Sequence, residues 1–205
     1  MKRLLFSAIL ACLTLTLAAQ ETIRVNYKGA KPTISDFATA FLSAYEWDEE
    51  DDVLDEARNA MKHVWNKHLK GEPLEEGQTL TVDQKNGYIC YEHKDDNHLV
   101  RIEMCYWNEA DGKHKLFAYN VRCFSNGAYS IGQFDGISFL RYTNATKKMT
   151  DIDPPGFEEL HGTGDGAYVS YALPRKGKDI TYTEWYNNKV RKQQTLKWNG
   201  RKFSF

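Results

Sequence analysis

Acidic residues are the first side chains in this chain whose type and placement could support catalysis. A glycosidase needs two carboxyl groups flanking a sugar bond, one as an acid and one as a base or nucleophile. Four carboxyl groups, Glu103, Asp135, Asp179 and Glu184, lie on or beside predicted strands. Because the chain has 28 Asp and Glu residues, some pair at a suitable separation is expected by chance. The carboxyl groups alone thus do not establish catalysis, and a small glycan or peptidoglycan hydrolase is kept as the alternative hypothesis.

Signatures of other catalytic and metal sites are missing from the sequence. No Gly-x-Ser-x-Gly elbow marks a nucleophile, and the glycine-rich run 162–166 lacks the lysine and following helix of a phosphate-binding loop. His63 and His68 are five residues apart, whereas four would place two imidazoles on one helix face. His93 and His98 could face each other across a hairpin, but a polar hairpin tip is the simpler interpretation. We predict no catalytic residue, no cofactor and no metal site.

Aromatic residues are a more informative excess, with 12 Tyr and 5 Trp. Strand alternation should direct part of this set toward solvent. Exposed Trp and Tyr rings stack on sugars or anchor protein partners, because they combine a large rigid area with a polar group. Antiparallel sheets also favour aromatic residues for packing alone. The candidate ligand-binding residues are Trp107, Tyr182, Trp185 and Tyr186.

Three cysteines, Cys90, Cys105 and Cys123, lie in predicted strands. An odd number leaves at least one thiol unpaired in a monomer. The predicted hairpins place Cys90 opposite Arg101 and Cys105 opposite Leu116, so no two cysteines face each other directly. Reactive thiols commonly lie at helix N-termini, which these do not. We expect buried, inert thiols rather than a disulfide.

The elements that position these residues begin with two helices. Apolar residues from Ile34 to Tyr45 recur at intervals of three and four, which predicts an amphipathic helix that starts near Pro32-Thr33. The acidic stretch 48–52 suits the N-terminus of a second helix, which ends before Gly71. These helices belong to a predicted helical segment at residues 20–77.

From residue 78 onward the hydrophobic period changes to two. In the segment 98–106, Ile102 and Met104 share one face and Arg101 and Glu103 the other, which is typical of a half-buried strand. Short turns such as Asn126-Gly127 make successive strands antiparallel. Residues 144–166 are the one long irregular insert. The predicted strands span 79–84, 87–93, 98–106, 115–124, 128–133, 137–142, 167–173, 180–186, 190–198 and 202–205.

These patterns predict an α+β fold. An N-terminal helical pair is followed by an antiparallel β-meander that wraps as a sandwich, a partial barrel or a propeller-like sheet. The chain has 205 residues, 41% hydrophobic and 27% charged, which excludes disordered, collagen-like and multi-span membrane classes. Residues 20–205 are long enough for one domain with its own core, with the sheet at 78–205.

The first 19 residues have the pattern of a secretory signal peptide. Met1-Lys2-Arg3 is basic, and the uncharged run from Leu4 to Ala19 is too short to span a membrane. Cleavage after Ala19 would make Gln20 the first mature residue. The run Ile9-Leu10-Ala11-Cys12 loosely resembles a lipobox, which leaves lipid anchoring through Cys12 as a minor alternative. We predict export to the periplasm or the medium, with no transmembrane span.

The charge distribution disfavours a nucleic-acid partner. The whole chain has 27 basic and 28 acidic residues, and residues 167–205 carry nine basic and two acidic ones. This basic C-terminal region most simply complements the acidic N-terminal segment of the same chain. Contact with an anionic glycan or the envelope surface is a second interpretation.

Two C-terminal segments, Leu173–Ile180 and Leu196–Phe203, resemble the closing strands of small exported proteins of unknown function from Bacteroidetes. The leader that ends before Gln20 is similar as well. These segments consist of turn and core residues, so the resemblance implies export and carries no catalytic assignment. We therefore expect an exported, noncatalytic binding module, in the cell envelope or secreted, whose strand face or long loop contacts a glycan or a protein.

Overall fold

The computed structural model describes residues 22–44, 54–130, 136–157 and 167–205. The predicted signal peptide with Cys12, the acidic stretch 48–52, Asp135 and the glycine-rich run 162–166 lie outside the described residues. The helices are α1 (Ile34–Ala44) and α2 (Leu54–Lys70). The strands are β1 (Thr22–Arg24), β2 (Gln78–Asp83), β3 (Tyr88–Asp95), β4 (His98–Asn108), β5 (His114–Ser125), β6 (Ala128–Tyr129), β7 (Gly136–Thr143), β8 (Lys148–Asp151), β9 (Ala167–Ala172), β10 (Ile180–Tyr186), β11 (Lys189–Trp198) and β12 (Phe203–Ser204).

The described strands form two antiparallel sheets. The large sheet has the order β1-β8-β7-β5-β4-β3-β2, with β6 also paired to β5, and the small sheet has the order β12-β11-β10-β9. The helical pair followed by antiparallel sheets confirms the α+β prediction. Within the described residues, neither helix combines the length and the hydropathy that crossing a membrane would require.

Capping interactions mark the start of α1 and the end of α2. The backbone N–H and the hydroxyl of Thr33 both donate to Asp36 Oδ2 at 2.7 Å, which satisfies a free donor at the start of α1. At the end of α2, Gly71 has φ +70° and its N–H bonds to the His68 carbonyl at 3.1 Å. The Trp65 indole N–H donates to Thr39 Oγ1 at 3.0 Å and joins the two helices.

The helices cover one face of the large sheet. Phe37 of α1 is fully buried, and its ring lies 5.1 Å from Tyr106, 6.0 Å from Phe117 and 5.1 Å from Tyr142. This helix-side core combines apolar residues of α1 and α2 with the sheet residues whose period-two spacing points them toward these helices. Its fully buried members include Ile34, Phe41, Met61, Ile89, Ile102, Met104 and Phe117.

The small sheet covers the opposite face of the large sheet. Trp107 and Phe139 of the large sheet pack there against Trp198 and Phe203 of the small sheet. The prediction of a half-buried β4 is therefore wrong, because its second face meets another sheet rather than water. Glu103, predicted on the solvent side, is buried.

Two strands were missed by periodicity. The insert 144–166 contains β8, which pairs with β7 and with β1 near the start of the described chain. These strands have four and three residues, too few to show an alternating pattern.

The predicted hairpin register is shifted by two residues. Cys90 lies opposite Glu103 rather than Arg101, and Cys105 lies opposite Ala118 rather than Leu116. The β3–β4 turn is tighter than expected, since Asp95 pairs directly with His98, and His93 therefore does not face His98. As expected, no disulfide joins Cys90, Cys105 or Cys123, but only Cys105 is fully buried.

Candidate functional site

Two of the four predicted ligand-binding residues belong to the core between the sheets. Trp107 is 4% exposed, and its indole N–H donates to the Lys178 carbonyl at 3.0 Å. Tyr182 is 5% exposed and packs against Tyr171. Both side chains point from their strands into the space between the two sheets, which alternation alone could not reveal. Neither ring presents a binding surface to a ligand, which corrects the prediction for Trp107 and Tyr182.

The other two residues lie where β10 ends. Tyr186 is 46% exposed, whereas Trp185 is partly buried and its ring stacks on Tyr129 at 5.2 Å with an interplanar angle of 27°. Tyr129 is also 5.7 Å from the ring of Tyr168 and 5.8 Å from that of Phe124. These five residues are called the aromatic end below.

The aromatic end is assembled by strand register and by one turn. Trp185 and Tyr168 are directly opposite each other in the β9–β10 ladder. Asn187 and Asn188 both have positive φ, which suits the two-residue turn between β10 and β11. The Tyr168 hydroxyl donates to Asn188 Oδ1 at 2.6 Å, and the Trp185 indole N–H donates to Ser170 Oγ at 2.8 Å. These bonds hold both rings in one orientation.

Two arginines border the aromatic end. Arg101 and Arg122 are directly opposite each other on β4 and β5, and their guanidinium carbons lie 5.8 and 5.7 Å from the Phe124 ring centre. Each arginine already has a carboxylate partner, Glu92 for Arg101 and Glu103 for Arg122. Their charges are therefore compensated, and they support the cluster by stacking.

Glu103 lies at the centre of a buried polar cluster between the sheets. It is 3% exposed, and its carboxylate accepts hydrogen bonds from the Tyr88 hydroxyl at 2.8 Å, Asn120 Nδ2 at 3.1 Å and Arg122 at 2.8 Å. The Leu173 amide N–H also donates to it, at 3.4 Å. With its oxygens fully engaged and shielded from water, Glu103 is a structural anchor for the small sheet rather than a general acid.

Burial also raises the pKa of the thiol and tyrosine side chains that lie near Glu103. It raises the pKa of the Cys90 thiol to about 11 and raises the pKa of the Cys105 thiol well above its ordinary value, with the charge of Glu103 adding to both shifts. Burial and the same carboxylate raise the pKa of Tyr88. The two thiols and the Tyr88 hydroxyl therefore stay protonated near neutral pH. The cysteines consequently lack the thiolate form that a nucleophile requires.

The other described carboxylates of the hydrolase hypothesis, Glu184 and Asp179, are engaged by partners within the fold. Glu184 is buried, and its carboxylate lies 3.2 Å from Arg191 NH1. Asp179 accepts the Trp198 backbone N–H at 3.3 Å. Asp135 lies outside the described residues. Among the three that are described, Glu103 and Glu184 are buried ion-pair members and are not placed to protonate a glycosidic oxygen.

One group of potential metal ligands was not anticipated. Glu109, Asp111 and His114 hold donor atoms within 4.8 Å of one another beside the β4–β5 turn. The Arg141 guanidinium already pairs with both carboxylates of this group. It donates to Glu109 at 2.7 and 2.5 Å and lies 3.7 Å from Asp111. The pKa of Asp111 is lowered to about 2. The largest cause is the hydrogen bond to the His114 side chain, and backbone N–H donors lower it further. A guanidinium already supplies the positive charge that a cation would bring.

Sequence reasoning missed Phe124, Tyr129 and Tyr168. Tyr168 could have been found from its place in a predicted strand, but its partner depends on the β9–β10 register. Tyr129 also lies in a predicted strand, 128–133, but the rings that it contacts belong to distant parts of the chain. No protein-family model, curated protein or solved structure matches this chain.

Proposed function

We propose that this protein is an exported, noncatalytic module that binds a glycan through the aromatic end. The observation that carries the proposal is the partly exposed ring of Trp185, held by Tyr129 on one side and by its hydrogen bond to Ser170. A ring fixed before binding loses little conformational entropy when a sugar stacks on it. Tyr186, the next residue along β10, adds a second aromatic side chain at this end of the strand and is 46% exposed.

The charge around this surface favours an acidic chain over a neutral one. The β10–β11 hairpin that carries Tyr186 also carries Lys189 and Lys192, both exposed. These ammonium groups attract carboxylate or sulfate groups of a polysaccharide, and salt should weaken the attraction since exposed charges are screened. Lysine binds such groups as a point charge, so it supplies affinity without strict geometry.

Thermal stability of the purified protein in the presence of acidic and neutral oligosaccharides tests the proposal. A ligand at about one hundred times its Kd should add about 2.7 kcal/mol, or a Tm increase of roughly 5 to 10 °C for a domain of this size. We expect the increase with an acidic oligosaccharide and a smaller one at high salt. No increase with any member of the panel would contradict glycan binding.

Substitutions at the aromatic end locate the binding surface. Trp185→Ala should weaken binding at least about tenfold, the loss typical of a central aromatic contact. Because Trp185 also packs against Tyr129, Tyr186→Ala provides a second variant that removes an exposed ring and leaves the packing intact. Phe205→Ala removes a ring that is 54% exposed outside the aromatic end and is the matched control. Equal affinity in all three variants would place the glycan elsewhere.

The leader supports the export part of the proposal. Mass spectrometry of the protein produced in an exporting bacterium should find Gln20 at the N-terminus. A lipid-modified Cys12 at the N-terminus would instead indicate a lipoprotein, and an intact Met1 in the cytoplasm would contradict export. This test is independent of the ligand.

A further inference from the structure

A cleft of about 370 Å³ lies at the opposite end of β5 from the aromatic end. Lys115, which lines it, is nine residues before Phe124 on this strand, a separation of roughly 30 Å. The cleft is formed where the segment between β1 and α1 passes the β4–β5 turn. Its polar and aromatic lining comprises Tyr27, Lys31, Asn108, His114, Lys115 and Asn144.

Lys115 is the unusual member of this lining. It is only 7% exposed, yet within the part of the chain that the structure describes no carboxylate forms an ion pair with it. Its Nζ bonds to Asn108 Oδ1 and lies 4.9 Å from the centre of the Tyr106 ring. Lysine is rarely buried without a compensating charge, because transferring an ammonium group out of water is costly.

The surroundings of Lys115 are positive rather than negative. Burial and the nearby charge of Lys31 both lower the pKa of Lys115. A third ammonium group, on Lys147, lies 4.8 Å from the ring centre of Tyr27, which lines the cleft.

The described carboxylates beside the β4–β5 turn, Glu109 and Asp111, are already compensated. Glu109 receives two hydrogen bonds from Arg141, and Asp111 bonds to His114 Nδ1 at 2.5 Å. They are therefore poor partners for Lys115, and none of the residues that the structure describes supplies its counter-charge.

We propose that this cleft binds the anionic group of a small organic acid, with Lys115 as the buried counter-ion and Lys31 at the entrance. The lining next to these lysines includes Ala30, Pro32 and the Tyr27 ring, which suit the carbon skeleton of an organic acid better than an inorganic anion. The volume is within the range of small-molecule sites. The site is separate from the aromatic end, so this proposal does not depend on glycan binding.

Ligand-dependent stabilisation of the purified protein tests this site. The panel comprises a uronic acid, an α-amino acid, a dicarboxylic acid, inorganic phosphate and sulfate, at an ionic strength held constant with sodium chloride. We expect at least one carboxylic acid to raise the Tm in a saturable manner. Stabilisation by phosphate or sulfate without any carboxylic acid would overturn the organic-acid assignment, and stabilisation by none of the panel would overturn the site.

Three charge variants determine whether the cleft is responsible. Lys115→Met keeps a long unbranched side chain at this position but removes the charge, and should weaken binding of the stabilising acid at least about tenfold. Lys31→Gln, at an exposed position, should weaken it about threefold and serves if the Lys115 variant does not fold. Lys113→Gln removes an exposed charge at the neighbouring turn, outside the lining, and should bind as the unmodified protein does. Equal weakening by Lys113→Gln and Lys31→Gln would show a general charge effect and overturn the proposal.

Discussion

The two faces of the large sheet are built from the same strands but are stabilised differently. On the helix side, β4 and β5 contribute apolar residues such as Met104 and Phe117. On the small-sheet side, the same strands contribute apolar Trp107 and Leu116 near one end and the polar cluster of Glu103 toward the other. The helix side therefore depends on packing, whereas the small-sheet side also depends on satisfied charges.

This difference determines how much each face constrains the fold. Apolar side chains tolerate shifts that keep their volume, but a buried carboxylate tolerates only arrangements that satisfy its oxygens. Glu103 accepts the Leu173 backbone N–H, and Asn120 donates to the Tyr171 carbonyl at 2.8 Å. The polar cluster thus specifies how β9 and the residue after it sit on the large sheet, which in turn positions Tyr168 at the aromatic end.

The largest expected effect is on the helix side. Phe37→Ala removes a fully buried ring that contacts Tyr106, Phe117 and Tyr142, and should lower the free energy of unfolding by about 4 kcal/mol. Urea denaturation of both proteins measures this. Phe205→Ala, at an exposed ring, is the control and should cost less than about 1 kcal/mol. A loss as small as the control's would mean that the helices contribute little to the core.

The second-largest expected loss of stability is on the small-sheet side. Glu103→Ala should lower the free energy of unfolding by about 3 kcal/mol, because it leaves the Arg122 guanidinium largely buried without its carboxylate. Adding Arg122→Met should recover part of that loss, since the uncompensated charge is removed as well. Denaturation of the two single variants and the double variant gives the coupling. Purely additive losses would contradict an interaction between the two charges.

The smallest effect is a pH dependence confined to the small-sheet side. Because burial raises the pKa of Cys90 to about 11 from an ordinary 9.0, the unfolded chain loses this proton first as pH rises. The free energy of unfolding should therefore be unaffected by this thiol below about pH 9 and fall between pH 9 and 11. Urea midpoints at pH 8 and pH 10 measure the fall, and Cys90→Ala should reduce it. An identical fall in that variant would show that other groups are responsible.

Much of the secondary structure could be predicted from local patterns. The helical stripe from Ile34 and the end near Gly71 match α1 and the end of α2, and the strands from β2 to β5 lie within two residues of their predicted bounds. Hydrophobic period and turn residues are local properties, so one sequence contains them. The register of β3 against β4 was wrong by two residues, because it depends on how tightly the chain turns at Asp96-Asn97.

The candidate sites were much less predictable. Strand membership identified Trp107, Tyr182, Trp185 and Tyr186 as aromatic strand residues, but could not separate the two core rings from the two at the surface. That separation depends on which faces of the sheets are covered. Lys115 attracted no notice in the sequence, since one lysine at the start of a strand resembles any other until its neighbours are known.

The amino-acid sequence by itself determined the elements of this protein: two amphipathic helices, then a series of antiparallel strands, with aromatic residues and thiols placed among them. Only the tertiary structure decided that the large sheet is covered on both faces, which makes Glu103 a buried anchor and Trp107 a core residue. It also decided that Lys115 is buried, with no carboxylate partner among the described residues. The physical reason is that periodicity depends on neighbours along the chain, whereas burial and charge compensation depend on residues that are distant in sequence and close in space.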